Sequence, residues 1–133
     1  MTMTEAIQAF FARYTDFGGR SRRSEYWWSY LGLMLIYVAI LIVSGILSAI
    51  LPFLGVIGVI AYVVLALVCL IPSIAIMFRR MHDVDKSAWW LLISFIPLIG
   101  ALVLLYFFVQ PGTVGPNQFG PDPKGGIDTT TFD

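Results

Sequence analysis

From Trp27 to Phe78 the chain carries no Asp, Glu, Lys, Arg or His over 52 residues, and from Ser87 to Pro121 it carries none over 35. An ionised side chain at the centre of a bilayer costs about 2.5–3.5 kcal/mol. Charge-free runs of this length are what hydrocarbon surroundings demand. Composition agrees: 59% of the 133 residues are hydrophobic and 12% are charged, against about 25% charged in soluble domains. The expected class is an all-α integral membrane protein forming a single membrane domain over residues 1–133. The formal net charge of zero lacks the basic excess of a nucleic-acid binder, so no nucleic-acid partner is expected. Cys69 is the single cysteine, which excludes an internal disulfide framework and suits a small buried hydrophobe.

The apolar runs divide into three expected transmembrane helices, about 26–50, 53–78 and 88–109. A core of about 30 Å needs about 20 residues at 1.5 Å each. The first charge-free block is too long for one crossing and right for a hairpin, with Pro52, Gly55 and Gly58 marking its turn. Pro72 and Pro97 fall inside the second and third spans and predict kinks there. Ahead of the spans, Ile7, Phe10, Phe11 and Tyr14 recur at helical spacing over 4–14, which predicts a short interfacial amphipathic helix capped by Thr4. Residues 15–25 form a basic flank broken by Gly18-Gly19, with Ser24 a capping residue for the first span. Residues 1–20 hold Glu5, Arg13, Asp16 and Arg20 and no apolar core, so the first span is expected to act as an uncleaved signal anchor. The tail, 110–133, holds five Gly and four Pro and predicts turns followed by a loose end.

Basic residues set the expected topology. Arg13, Arg20, Arg22 and Arg23 precede the first span; Arg79, Arg80 and Lys86 follow the second; Lys124 alone lies in the tail. Three crossings put seven of the eight on one side, which the positive-inside rule makes cytoplasmic. The expectation is N-terminus in, C-terminus out. Trp27-Trp28 and Trp89-Trp90 then anchor the cytoplasmic interface, while Tyr106, Phe107 and Phe108 end the third span at the opposite one.

Three blocks, in this order and separated by apolar spans, carry a family resemblance: GRSRRSEYWW (19–28), RRMHDVDKSAWWLL (79–92) and GTVGPNQFGPDP (112–123). Together, over about residues 10–124, the chain resembles the small bacterial inner-membrane family catalogued as domain of unknown function 805. The resemblance implies a multi-pass protein of the bacterial cytoplasmic membrane and assigns no activity, cofactor or catalytic residue. The family's second block usually reads RRLHDxGxSGWW. Here Met81 stands for the Leu, Asp85 for the first Gly and Ala88 for the second, which predicts a stiffer, more helix-compatible connection.

One constellation carries candidate chemistry. Arg20, Arg23, Arg79 and Arg80 on the cytoplasmic side form a candidate site for an anion or lipid headgroup, since guanidinium forks onto phosphate or carboxylate. Glu25 and Asp83 are the expected supporting ion pairs, Arg79 with Asp83 at i,i+4 and Glu25 with Arg80. The leading expectation is a non-enzymatic module that binds a partner protein or anionic lipid through this face, with membrane lipids and a homo-oligomer as further partners. Two alternatives are a lipid-modifying enzyme using His82 with Asp85 or Glu25, and an oligomeric channel or small transporter. One His with scattered carboxylates is too few ligands for a metal, so neither metal nor cofactor is expected. Gly45 and Ala49, with Ser44 and Ser48 beside them, offer a small-residue face for helix contact. In the tail, Asn117 is set to bond a nearby amide and Phe119 to dock against protein or membrane.

Overall fold

The computed structural model describes residues 1–123; most of the expected loose end, 124–133, lies outside them. The regular elements of the described chain are all helices: α1 (Met3–Ala12), α2 (Arg23–Ile50), α3 (Phe53–Asp83), a 3-10 helix η1 (Ala88–Phe95) and α4 (Ile99–Val109). Two of these, α2 and α3, are long and apolar enough to cross a membrane. At 1.5 Å per residue they are about 42 and 46 Å long.

α2 and α3 form the antiparallel hairpin that the first charge-free block predicts. The break comes at Leu51-Pro52, and Gly55 and Gly58 lie inside α3. The helices touch where Ser44 and Ser48 of α2 meet Gly58 and Gly55 of α3, while Gly45 faces open space. Pro72 lacks the N–H that would bond the carbonyl of Val68. The Tyr14 hydroxyl donates to that carbonyl instead, so a residue two past the end of α1 satisfies the acceptor that the proline leaves open.

The cap of α1 lies two residues before the Thr4 expected for it. Thr2 is the cap, its Oγ1 accepting from the Glu5 amide at 3.2 Å. The helix lies across α2 and α3: Ala6 and Phe10 are buried, the Ser29 hydroxyl donates to the Ala6 carbonyl at 3.1 Å, and Phe10 joins Cys69 and Ile76 in an apolar cluster. α2 starts after Arg22 with no side-chain cap, so Ser24 is a buried helical residue rather than the capping one.

The segment expected as a third crossing helix, 88–109, is not one helix. It is a hairpin. Pro97 sits in the turn instead of kinking a helix, and Leu98 (φ 63°, ψ −58°) makes a tight γ-turn in which the Ile99 amide donates to the Pro97 carbonyl at 2.7 Å. The returning arm can close because residue 100 is glycine. A Cβ there would stand 1.8 Å from the Ile93 carbonyl oxygen. With rises of about 2.0 Å per residue in η1 and 1.5 Å in α4, each arm is about 16 Å long, so the chain comes back to the level at which it started. Trp90, early in η1, meets Phe107, late in α4, ring to ring at 5.5 Å.

Candidate functional site

The end of the molecule that receives both arms of this hairpin is a cap of buried charge. The long helices set its geometry. α3 delivers Arg79, Arg80, His82 and Asp83 from its last five residues, and α2 delivers Glu25 from its first turn. The flank between α1 and α2 delivers Arg20 and Ser21, and the tail closes over them. Arg20, Ser21, Glu25, Arg79, Arg80 and Asp83 are all under 5% exposed.

Each buried guanidinium meets internal acceptors, as burial of a charge requires. Arg20 bonds Asp83 (Nε–Oδ1 3.1 Å) and donates to the carbonyls of Thr113, Gly115 and Gly120 at 2.6, 2.8 and 3.2 Å. Arg79 donates to the Ser21 hydroxyl (2.7 Å), to the carbonyls of Arg13 and Asp16 (3.0 Å each) and to Glu25 Oε1 (3.3 Å). Arg80 donates to Asp83 Oδ2 (2.7 Å), to the Phe108 and Ser21 carbonyls (3.2 and 3.4 Å), and to the Gln110 carbonyl. The expected pairs are therefore exchanged. Arg80 takes Asp83 at i,i+3, and Arg79 takes Glu25 from the other helix. The reason is direction: on α3, Arg79 faces α2 and the flank while Arg80 and Asp83 face the tail.

The tail is tied to the same residues. Thr113 N–H donates to the Asp83 carbonyl at 2.7 Å. Gly112 lies so close that a Cβ would stand 2.1 Å from Asp83 Oδ2. Asn117 Oδ1 accepts from the Phe119 amide (2.8 Å), and its Nδ2 donates to the His82 carbonyl (2.9 Å). Phe119 stacks on the His82 ring at 4.1 Å and 8°. The Asn117 turn and the docked Phe119 expected from sequence are thus found, and the docking partner is this chain itself.

That arrangement corrects the expected topology. With α4 ending at Arg80 and the tail packed on Arg20 and Asp83, the N-terminal flank and the tail occupy one end of the molecule and cannot lie on opposite sides of a membrane. Phe107 and Phe108 sit at this same end, Phe108 against Tyr26 at 4.6 Å, not at an opposite interface. Trp27 donates from Nε1 to the Phe108 carbonyl at 3.0 Å. Trp28 is half-buried, Trp90 is exposed beyond its contact with Phe107, and Trp89 is 77% exposed. All four tryptophans thus lie at the cap end.

Of the four arginines in the candidate anion site, Arg20, Arg79 and Arg80 are inside the cap. Arg23 is half-buried at its rim, with Nη1 donating to the Val109 carbonyl at 3.1 Å; Lys86 stands at the rim too, 6.0 Å from the centre of the Phe107 ring. His82 meets neither acidic residue expected to work with it. Its Nδ1 bonds the Gly19 carbonyl at 3.0 Å, and Asp85 accepts from Gln118 at 3.3 Å. Among the described residues no group of three His, Cys, Asp or Glu is placed to hold a metal. At the edge, Arg13 bonds Asp16 at 2.8 Å. Burial alone would raise the Asp16 carboxyl, but Arg13 and the Gly19 amide hold it below its ordinary value.

The connection after α3 is not more helical for lacking glycine. The helix stops at Asp83 in a Schellman motif, with the Lys86 amide donating to the Met81 carbonyl (2.9 Å) and the Asp85 amide to the His82 carbonyl (3.0 Å). Asp85 takes the left-handed backbone (φ 59°) at the position where the resembled family has its first glycine.

Residues 14–121 match the family model described as "Protein of unknown function (DUF805)". The chain is similar to the inner membrane protein YhaH of Escherichia coli strain K12, 43% identical over 84% of this chain and 89% of that protein. It is similar also to the inner membrane protein YhaI of the same strain, 41% identical over 85% and 90%. No solved structure matches. The matched span runs from just after α1 through the docked Asn117–Gly120 turn, so it takes in the whole buried cap, and the chain belongs to this DUF805 family.

Proposed function

We propose that this chain is a non-enzymatic inner-membrane module with two crossing helices, α2 and α3, and a re-entrant hairpin, η1–α4. The observation that carries this reading is the one-ended distribution of charge. Every described charged side chain from Arg13 to Asp122 belongs to the cap end, whereas the Leu51-Pro52 turn at the far end has none. Under the positive-inside rule the cap is cytoplasmic, and so is the tail. The arms of about 16 Å reach about half way through a core of about 30 Å. The two inner membrane relatives support the location.

In this reading the arginines divide into two groups. Arg20, Arg79 and Arg80 hold the cap together, with Glu25 and Asp83 as counter-ions. Arg22, Arg23 and Lys86 ring it at headgroup depth, with the tryptophans beside them, and attract the phosphate of an anionic lipid. Each basic side chain near a charged surface contributes about 1 kcal/mol. The test is lipid binding to purified protein, phosphatidylglycerol against phosphatidylcholine, by native mass spectrometry. Arg23→Ala with Lys86→Ala should lower the preference for the anionic lipid about thirty-fold and leave the fold intact. An unchanged preference contradicts the assignment of the rim.

A further inference from the structure

Arg20 and Arg80 are both buried, yet they share a single carboxylate. Asp83 takes Arg20 on Oδ1 (3.0 Å to Nη2) and Arg80 on Oδ2 (2.7 Å to Nη1). Two positive charges against one negative leave an excess inside the protein. The tail meets it. Carbonyl oxygens of Thr113, Gly115 and Gly120 accept from Arg20, and that of Gln110 accepts from Arg80. The backbone passes through positive φ at Gly115 (76°) and Gly120 (133°) to present two of these carbonyls, a conformation that glycine adopts at no steric cost. Asp122 comes with them. Its carboxylate accepts from the Gly115 amide at 2.9 Å, and its charge acts on Asp83. The tail therefore brings four oxygens and one negative charge to the two arginines.

The same segment has little apolar anchorage. Residues 110–123 form no helix. Phe119 stacks on His82, but Val114 is 59% exposed, and Pro111, Pro116 and Gln118 are exposed as well. A segment held by polar bonds and one ring opens at lower free energy than a packed core. Lifting it uncovers N–H groups on two guanidiniums and takes the Asp122 charge away, leaving a cationic pocket with Asp83 at its floor. A phosphate group offers three strong acceptor oxygens and a charge of about −1.5 to −2, whereas a carboxylate offers two oxygens and a single charge. Guanidiniums seated on the two different oxygens of Asp83 are better bridged by the phosphate.

We propose that Arg20 and Arg80 form a phosphate site, and that the tail over 110–122 is an autoinhibitory strap whose carbonyls stand where the phosphate oxygens bind. Docking of the strap and binding of phosphate exclude one another, so each weakens the other. The site lies inside the rim of Arg23 and Lys86 and does not depend on it.

The experiment is a phosphorus NMR titration of the full chain in mild detergent, in an Arg23→Ala/Lys86→Ala background that removes the rim. The probes are inorganic phosphate and, separately, short-chain phosphatidic acid. Binding of inorganic phosphate supports the site with a soluble ligand; binding of phosphatidic acid alone supports it with a lipid headgroup. Phe119→Ala loosens the strap without touching a buried ion pair and should tighten binding about tenfold. Arg20→Lys keeps the charge but loses the planar fork and should abolish binding even when combined with Phe119→Ala. The bound phosphate probe should also speed hydrogen exchange over residues 112–120, and potassium acetate at the same ionic strength should not. No binding of either probe with or without Phe119→Ala, binding that Phe119→Ala weakens, or exchange that acetate speeds equally would each overturn the site. Because the rim is absent from this background, its failure in the lipid test above leaves these results unchanged.

Discussion

The cap and the hairpin beneath it are built by opposite rules. In the cap, arginines and carboxylates are buried and each finds a partner. In the α2–α3 hairpin, large apolar side chains such as Leu41, Ile50 and Leu67 are more than half exposed, and an 18-residue apolar window of α2 buries none of its residues. In water this would be inside-out. In a bilayer it is consistent, because lipid tails solvate leucine as well as protein does, while charges must be sequestered together at the membrane surface. The difference teaches where this fold gets its tertiary specificity. The long helices supply length, and the polar cap fixes how the flank, the hairpin and the tail meet.

The comparison breaks most visibly at Asp83. That carboxylate faces both Arg20 and Arg80, so Asp83→Ala leaves two buried guanidiniums short of a counter-ion. A loss of about 3–5 kcal/mol is expected, read as a lower unfolding midpoint in detergent and earlier proteolysis of the tail. Gly100→Ala drives a methyl into the Ile93 carbonyl and should cost about 1–3 kcal/mol while opening the η1–α4 hairpin, which hydrogen exchange at Leu98–Leu102 would register. Asp85→Gly goes the other way. It removes a side chain from a left-handed position and should stabilise by about 1 kcal/mol in the same unfolding assay. Ile50→Ala, on the exposed hairpin, should stay within about 0.5 kcal/mol; a loss as large as that at Asp83 would mean the hairpin is packed against something.

A small pH effect sharpens the edge of the cap. The folded-state carboxyl of Asp16 lies below its ordinary value. Its contribution is therefore present above the unfolded value and is lost as pH falls through the folded one. Asp16→Asn should flatten that limb of a stability profile taken between pH 6 and 3: the variant is slightly less stable than the wild type at pH 7, and the two converge as pH falls.

The long helices were legible because charge exclusion over 52 residues leaves hydrocarbon as the only comfortable surroundings. The membership of the cap was legible too: Arg20, Glu25, Arg79, Arg80 and Asp83 do come together. Their partners were not, because i,i+3 and i,i+4 spacings are both sterically open until α2 and the tail fix which face of α3 each residue meets. The η1–α4 hairpin escaped for a related reason. Hydropathy over 88–109 is uniform whether the chain crosses or returns, and Pro97 marks a kink or a turn equally well. Gly100, three residues after it, was the available signal, since its need for close backbone approach separates the two. Gly112 and Ser21 carry no sequence mark of their role, which exists only once the tail reaches Asp83 and Arg79.

The central claim is that the third apolar segment returns to the face it left. Thiol labelling of intact cells with a membrane-impermeant reagent tests it, using Phe53→Cys and Gln118→Cys, each in a Cys69→Ser background. The account predicts that the residue-53 thiol is labelled from outside, while the residue-118 thiol is labelled only after the membrane is opened. Labelling of position 118 in intact cells, to the same extent as position 53, would contradict the return and restore a third crossing.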